Sequence, residues 1–185
     1  MKKDDPIMNA EPQRSDSDPH GAIQPSRILV VYYSRTGKTR EVAEDIVKNL
    51  GCDSEQIVDT KKRGGPLGFL TAGRDSGRGS LTTIEVPKKD PSAYDLVIVG
   101  TPVWNNTVST PVRTYLSMNK GKIAKAAFFL TQDRKESETF DVMQEVLAQK
   151  PIATLQLIGV KRLDEVDYRE RIDGFLSLVS SEMSK

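Results

Sequence analysis

Cysteine, histidine and tryptophan are each represented once in this 185-residue chain, by Cys52, His20 and Trp104. A single cysteine excludes an internal disulfide and any cysteine-based metal cluster. A single histidine, placed in the low-complexity start, excludes catalytic triads that need a histidine and most histidine-ligated metal sites. Charge of one sign is also lacking: 27 Lys and Arg against 26 Asp and Glu leave a formal net charge of +1. Neither the basic field expected of a nucleic-acid binder nor the acidic field of a carrier steered to a basic partner is present. No apolar run approaches the roughly 20 residues that span a bilayer. The basic N-terminus is followed by polar and acidic residues where a secretory peptide would place its apolar stretch, so a cytoplasmic protein is expected. Chemistry in such a chain has to be borrowed from a cofactor.

What is present is an alternation of strand and helix patterns. Residues 1–26 are rich in Asp, Ser, Pro and Gln, with isolated Ile7, Met8 and Ile23, and are expected to be a disordered tail. From residue 27 to the C-terminus one domain is expected. Residues 27–33 form a β-branched and aromatic run of the kind covered on both faces of a parallel sheet. Val42, Ala43, Ile46, Val47 and Leu50 then fall at helical spacing, with Gly51 as a stop. Strands are predicted at 56–58, 94–100, 125–131 and 154–159. Helices are predicted through Val112 to Met118, through Phe140 to Leu147, and over 168–181. Such alternation predicts a three-layer, doubly wound parallel sheet that binds ligands beyond the C-terminal ends of its strands.

The loop after the first strand, Ser34-Arg35-Thr36-Gly37-Lys38-Thr39, sets three hydroxyls and a glycine before a helix N-terminus. That is an anion cradle, with phosphate as its natural guest. A P-loop of nucleotide triphosphatases would need a glycine five positions before Gly37, where Tyr32 stands, so that reading is rejected. The plainer alternative is that Ser34 only caps the helix. After the third strand comes Thr101-Pro102-Val103-Trp104-Asn105-Asn106-Thr107, in which Trp104 suits stacking on a flat ring and the asparagines tolerate left-handed backbone. Its plainer alternative is a tryptophan plugging the sheet end.

Ser34-x-Thr36-Gly37-x-Thr39 after a buried strand resembles the FMN phosphate loop of the flavodoxin family. Gly100-Thr-Pro-Val-Trp104 followed by Pro111-Val-Arg-Thr-Tyr-Leu116 resembles the family's loop beside the isoalloxazine. The resemblance covers about residues 27–181. It implies a five-stranded sheet of order 2-1-3-4-5, FMN as cofactor, and a third loop over 131–137 completing the site, so that Thr131, Gln132 and Asp133 join the cofactor-binding set. That loop has no glycine, although the family's are commonly Gly-rich. The implied function is electron transfer, or reduction of a small acceptor such as a quinone, with no residue catalytic in itself. The partners would be a redox protein, or NAD(P)H and a small acceptor, and not nucleic acid; a homodimer stays open. The alternative, supported by the missing glycine, is a flavin-free module of the same fold that binds a protein or another phosphate compound. A phosphoryl-accepting receiver domain fails, because Tyr32, Tyr33 and Ser34 stand where clustered carboxylates are needed. The connection over 59–80, with Lys61, Lys62, Arg63, Arg74 and Arg78 among glycines, is expected to be a lid, a docking loop or a solvated loop with a short helix over 67–72.

Overall fold

The computed structural model describes residues 27–61, 75–77, 79–133, 137–160 and 163–185. The expected tail 1–26, the expected helix 67–72, most of the basic connection, and residues 134–136 of the third loop lie outside the described residues. The elements run β1 (Ile28–Tyr32), α1 (Lys38–Leu50), β2 (Asp53–Gln56), a 3-10 turn (Pro91–Ala93), β3 (Leu96–Trp104), β4 (Thr107–Val108), α2 (Thr110–Met118), β5 (Ala126–Gln132), α3 (Thr139–Leu147), β6 (Thr154–Ile158) and α4 (Glu165–Met183). The parallel strands stand in the order β2-β1-β3-β5-β6, with β4 paired antiparallel to the end of β3. Counting only the parallel strands, this is the expected 2-1-3-4-5.

The period-two geometry of the strands divides the core in two. Leu29 and Val31 of β1, Val97 and Val99 of β3, and Phe128 of β5 face one layer, where Val112, Tyr115 and Leu116 of α2 and Met143 and Leu147 of α3 cover them. Val30 and Tyr32, Leu96 and Ile98, and Ala127 and Phe129 face the other, against Val42, Ala43 and Ile46 of α1 and Ile172, Phe175 and Val179 of α4. The continuous apolar runs of β1, β3 and β5 therefore reflect two buried faces, the condition under which alternation vanishes from a sequence.

Two sequence expectations are corrected. The second strand is Asp53–Gln56, not 56–58. An edge strand needs no apolar run, and the register Leu29↔Asp53 to Tyr32↔Gln56 is held by backbone pairing with β1. Ile57 continues the connection only through its N–H to the Tyr32 carbonyl, at 2.7 Å. The third strand runs on through Trp104, so the segment expected as a loop is strand up to a two-residue hairpin turn. Asn105 and Asn106 make that turn at φ 49° and 61°, the paired left-handed geometry that closes tight hairpins.

Candidate functional site

The strand ends β1, β3 and β5 deliver three segments to one edge of the sheet, as expected for ligand sites of doubly wound folds. They enclose a cavity of about 240 Å³ lined by Arg35, Thr36, Lys38, Thr39, Pro102, Val103, Trp104, Thr131, Gln132 and Asp133. Ten of the sequence-derived candidates thus meet around one space. The other five stand beside it: Ser34 and Gly37 in the loop backbone, Asn105 and Asn106 in the hairpin turn, and Thr107 in β4. Among the described residues no cluster of three or more His, Cys, Asp or Glu could hold a metal, and no helix is long and apolar enough to cross a membrane.

The first wall is the β1–α1 turn. Gly37 is the N-cap of α1 at φ 95° and ψ −29°, a conformation that costs a side-chain-bearing residue about 1 kcal/mol or more. No side chain caps this helix, although Ser34 Oγ accepts the Gly37 N–H at 3.2 Å just before it. The first-turn N–H groups of α1 thus lack the usual side-chain acceptor and point their partial positive charge out of the helix end. Thr39 is buried, and its hydroxyl lies 2.8 Å from that of Thr131, tying the turn to the end of β5. At the surface the Lys38 ammonium meets the Asp133 carboxylate at 2.9 Å, joining the same two segments.

Trp104 forms the second wall. It is only 8 % exposed, its ring meets Tyr33 edge-on at 5.4 Å between centroids and 88° between planes, and the Arg35 guanidinium lies over it at 5.8 Å. Trp104 therefore both packs against the sheet end and lines the cavity. Tyr33, absent from the sequence-derived set, orients the indole; its position directly after β1 was the available signal. Arg113 of α2 lies behind the hairpin, its Nη2 reaching Thr107 Oγ1 at 3.4 Å, and partial burial lowers its pKa from the usual arginine value.

Gln132 closes the third wall. It belongs to β5 rather than to a loop, is 8 % exposed, and neither its Oε1 nor its Nε2 has a hydrogen-bond partner among the described residues. Buried side-chain amides are nearly always satisfied, and leaving one open costs about 1–3 kcal/mol. A cavity lined by Gln132 and by the adjoining uncapped helix N-terminus suits a ligand with hydrogen-bonding ring edges and an anionic group.

No family model matches the chain, and no curated protein matches it. Solved structures do. A flavoprotein from Lactobacillus acidophilus NCFM, crystallised in complex with FMN, superposes with a TM-score of 0.65 at 21% identity, over 81% of this chain and 98% of that one. A candidate flavoprotein from Bacteroides eggerthii DSM 20697 gives 0.62 at 23% identity, over 82% and 98%. A flavodoxin from the domain Archaea gives 0.52 at 15%, over 86% and 99%. Together with the strand order, this likeness establishes that the chain has the flavodoxin-like fold.

Proposed function

We propose that this chain binds FMN at the β1, β3 and β5 strand ends and serves in electron transfer or as a small flavin-dependent oxidoreductase, with quinones as acceptors to test. The observation that carries the reading is Gln132. It lines the cavity beside the N-terminus of α1, which no side chain caps, and its buried amide atoms have no hydrogen-bond partner among the described residues. The FMN complex of the similar Lactobacillus flavoprotein supports the choice of cofactor. When bound, FMN supplies the capacity to take up and release electrons, which no side chain here possesses.

The chain's own residues would do the rest. Ser34, Arg35, Thr36, Gly37, Lys38 and Thr39 would hold the phosphate through hydroxyls, backbone N–H groups and positive charge. Pro102, Val103 and Trp104 would shield the ring from water, and Gln132 would hydrogen-bond its edge. Asn105, Asn106 and Thr107 would shape the approach to the ring, with Thr131 and Asp133 bracing the third segment. The electron donor would be a redox protein or NAD(P)H.

The test is an absorption spectrum of the purified protein followed by titration of the apo-protein with FMN. Flavin bands, with affinity reduced at least about 10-fold in Thr36→Ala plus Thr39→Ala, are expected for the loss of two hydrogen bonds to a charged group. A colourless protein that ignores millimolar FMN would overturn the reading. A second reading, a flavin-free interaction module, draws on the Arg35 guanidinium over Trp104 and the Lys38–Asp133 pair, since contacts within the protein already use these groups. The same titration decides between the two.

A further inference from the structure

A larger cavity, of about 320 Å³, lies away from the strand ends, beside the edge strand β2. Val31, Ile57, Ile84, Val86, Pro87 and Tyr115 give it mainly apolar walls. Tyr115 is fully buried, and its hydroxyl has no hydrogen-bond partner among the described residues. Tyr115 is one of three side chains with an orphaned buried polar atom among the described residues, with Gln132 and Arg113, and it lines this cavity rather than the one at the strand ends.

Of the four charged residues on its lining, Glu55, Glu85, Lys88 and Lys89, two have committed side chains. The Glu55 carboxylate accepts the backbone N–H groups of Lys88 at 2.5 Å and Lys89 at 3.0 Å, and the Lys89 ammonium is paired with Asp53 at 2.9 Å. A water at Tyr115 would want two to four polar partners, which Val31, Ile57 and Ile84 do not offer. The volume falls at the lower end of small-ligand sites, about 300–1,000 Å³, and those sites are mostly apolar with few placed polar groups. Val86, which is 85 % exposed, stands on the lining and marks the open side.

We propose that this cavity is a second binding site, for a small, uncharged and mainly apolar molecule whose carbonyl oxygen accepts the hydrogen bond of the Tyr115 hydroxyl. Burial first, then the Glu55 carboxylate, hold the phenol well above its ordinary pKa, so it stays a donor at neutral pH. The same carboxylate disfavours an anionic ligand. The proposal does not depend on FMN binding.

The experiment is an NMR titration of ¹⁵N-labelled protein, with and without FMN, using acetophenone, ethylbenzene and benzoate as probes. Acetophenone is expected to shift the amides of Ile57, Ile84 and Val86 and to bind about 5-fold more tightly than ethylbenzene, the worth of one net hydrogen bond. Tyr115→Phe, which keeps the ring, should abolish that preference. Val86→Trp, at an exposed position that folding tolerates, should narrow the entrance and weaken both neutral probes. The proposal is overturned by any of four results. These are no shifts at millimolar acetophenone, shifts centred on residues 35–39 and 131–133, benzoate binding as tightly as acetophenone, or an unchanged preference in Tyr115→Phe.

Discussion

Gln132 stands at the end of a strand that is otherwise Ala, Phe, Leu and Thr, all buried. An amide in such a place without partners lowers stability by about 1–3 kcal/mol, so Gln132→Leu should raise the urea midpoint of the apo-protein while weakening FMN binding about 10-fold. Opposed movement of the two readouts is the signature of a residue kept for a ligand; a fall in both would assign Gln132 to packing. Cys52 makes a contrasting case. Desolvation pushes its thiol pKa up to about 11, with the neighbouring Asp53 carboxylate adding to the rise, so the reactive thiolate is scarce at neutral pH. Alkylation by iodoacetamide in the folded state should run far slower than in urea, and equal rates would refute the packing role.

At the scale of elements, the sheet centre is set by how β3 and β5 meet. Gly100 pairs with Phe129, whose ring crosses the space above it, and a Cβ at Gly100 would lie 2.0 Å from Phe129 Cζ. Gly100→Ala is therefore expected to cost about 1–3 kcal/mol through forced displacement of that ring, measured as a drop in urea midpoint. Gly100→Ala combined with Phe129→Leu should recover part of the loss if the clash is the cause. In α1 the constraint at Gly37 is backbone rather than space, because its φ of 95° is unfavourable for any side chain although the nearest atom, Glu41 Oε1, is 3.7 Å from a Cβ placed there. Gly37→Ala should destabilise by about 1 kcal/mol and disturb the turn that presents the α1 N–H groups.

Across the whole molecule, edge strand β2 is tied to the segment before β3 by polar contacts rather than by a core. Asp53 accepts the Tyr94 hydroxyl at 2.6 Å and the Lys89 ammonium at 2.9 Å, and these bonds, the tyrosine's first, lower its pKa below the usual carboxylate value. A depressed folded-state pKa stabilises above the unfolded value of about 3.9, and that contribution is lost as pH falls through the lower folded value. Urea midpoints should therefore decline below about pH 4, and Asp53→Asn should lower stability at pH 6 while flattening that decline. A matching tie on the opposite layer, Tyr168 hydroxyl to Asp45 at 2.6 Å, links α4 to α1.

The sequence by itself determined the alternation of β1, β3, β5 and β6 with their helices, because two buried faces demand the uninterrupted apolar runs of β1, β3 and β5, the edge strand β6 alternates, and helices demand 3.6-residue spacing. It also determined the position of the β1–α1 turn, since Gly37 and its hydroxyl neighbours are local chemistry. Only the tertiary structure decided the rest. β2 was misplaced because Asp53–Gln56 pairs through backbone alone, which leaves no side-chain pattern to read. The Trp104 wall, with Tyr33 at its edge and Arg35 over its face, arises from residues brought together by β1 and β3 pairing. The orphaned Gln132 amide and the Tyr115 cavity depend on what fails to pack nearby. Spacing along a chain encodes which face a residue takes, but not which of its polar atoms will be left without a partner.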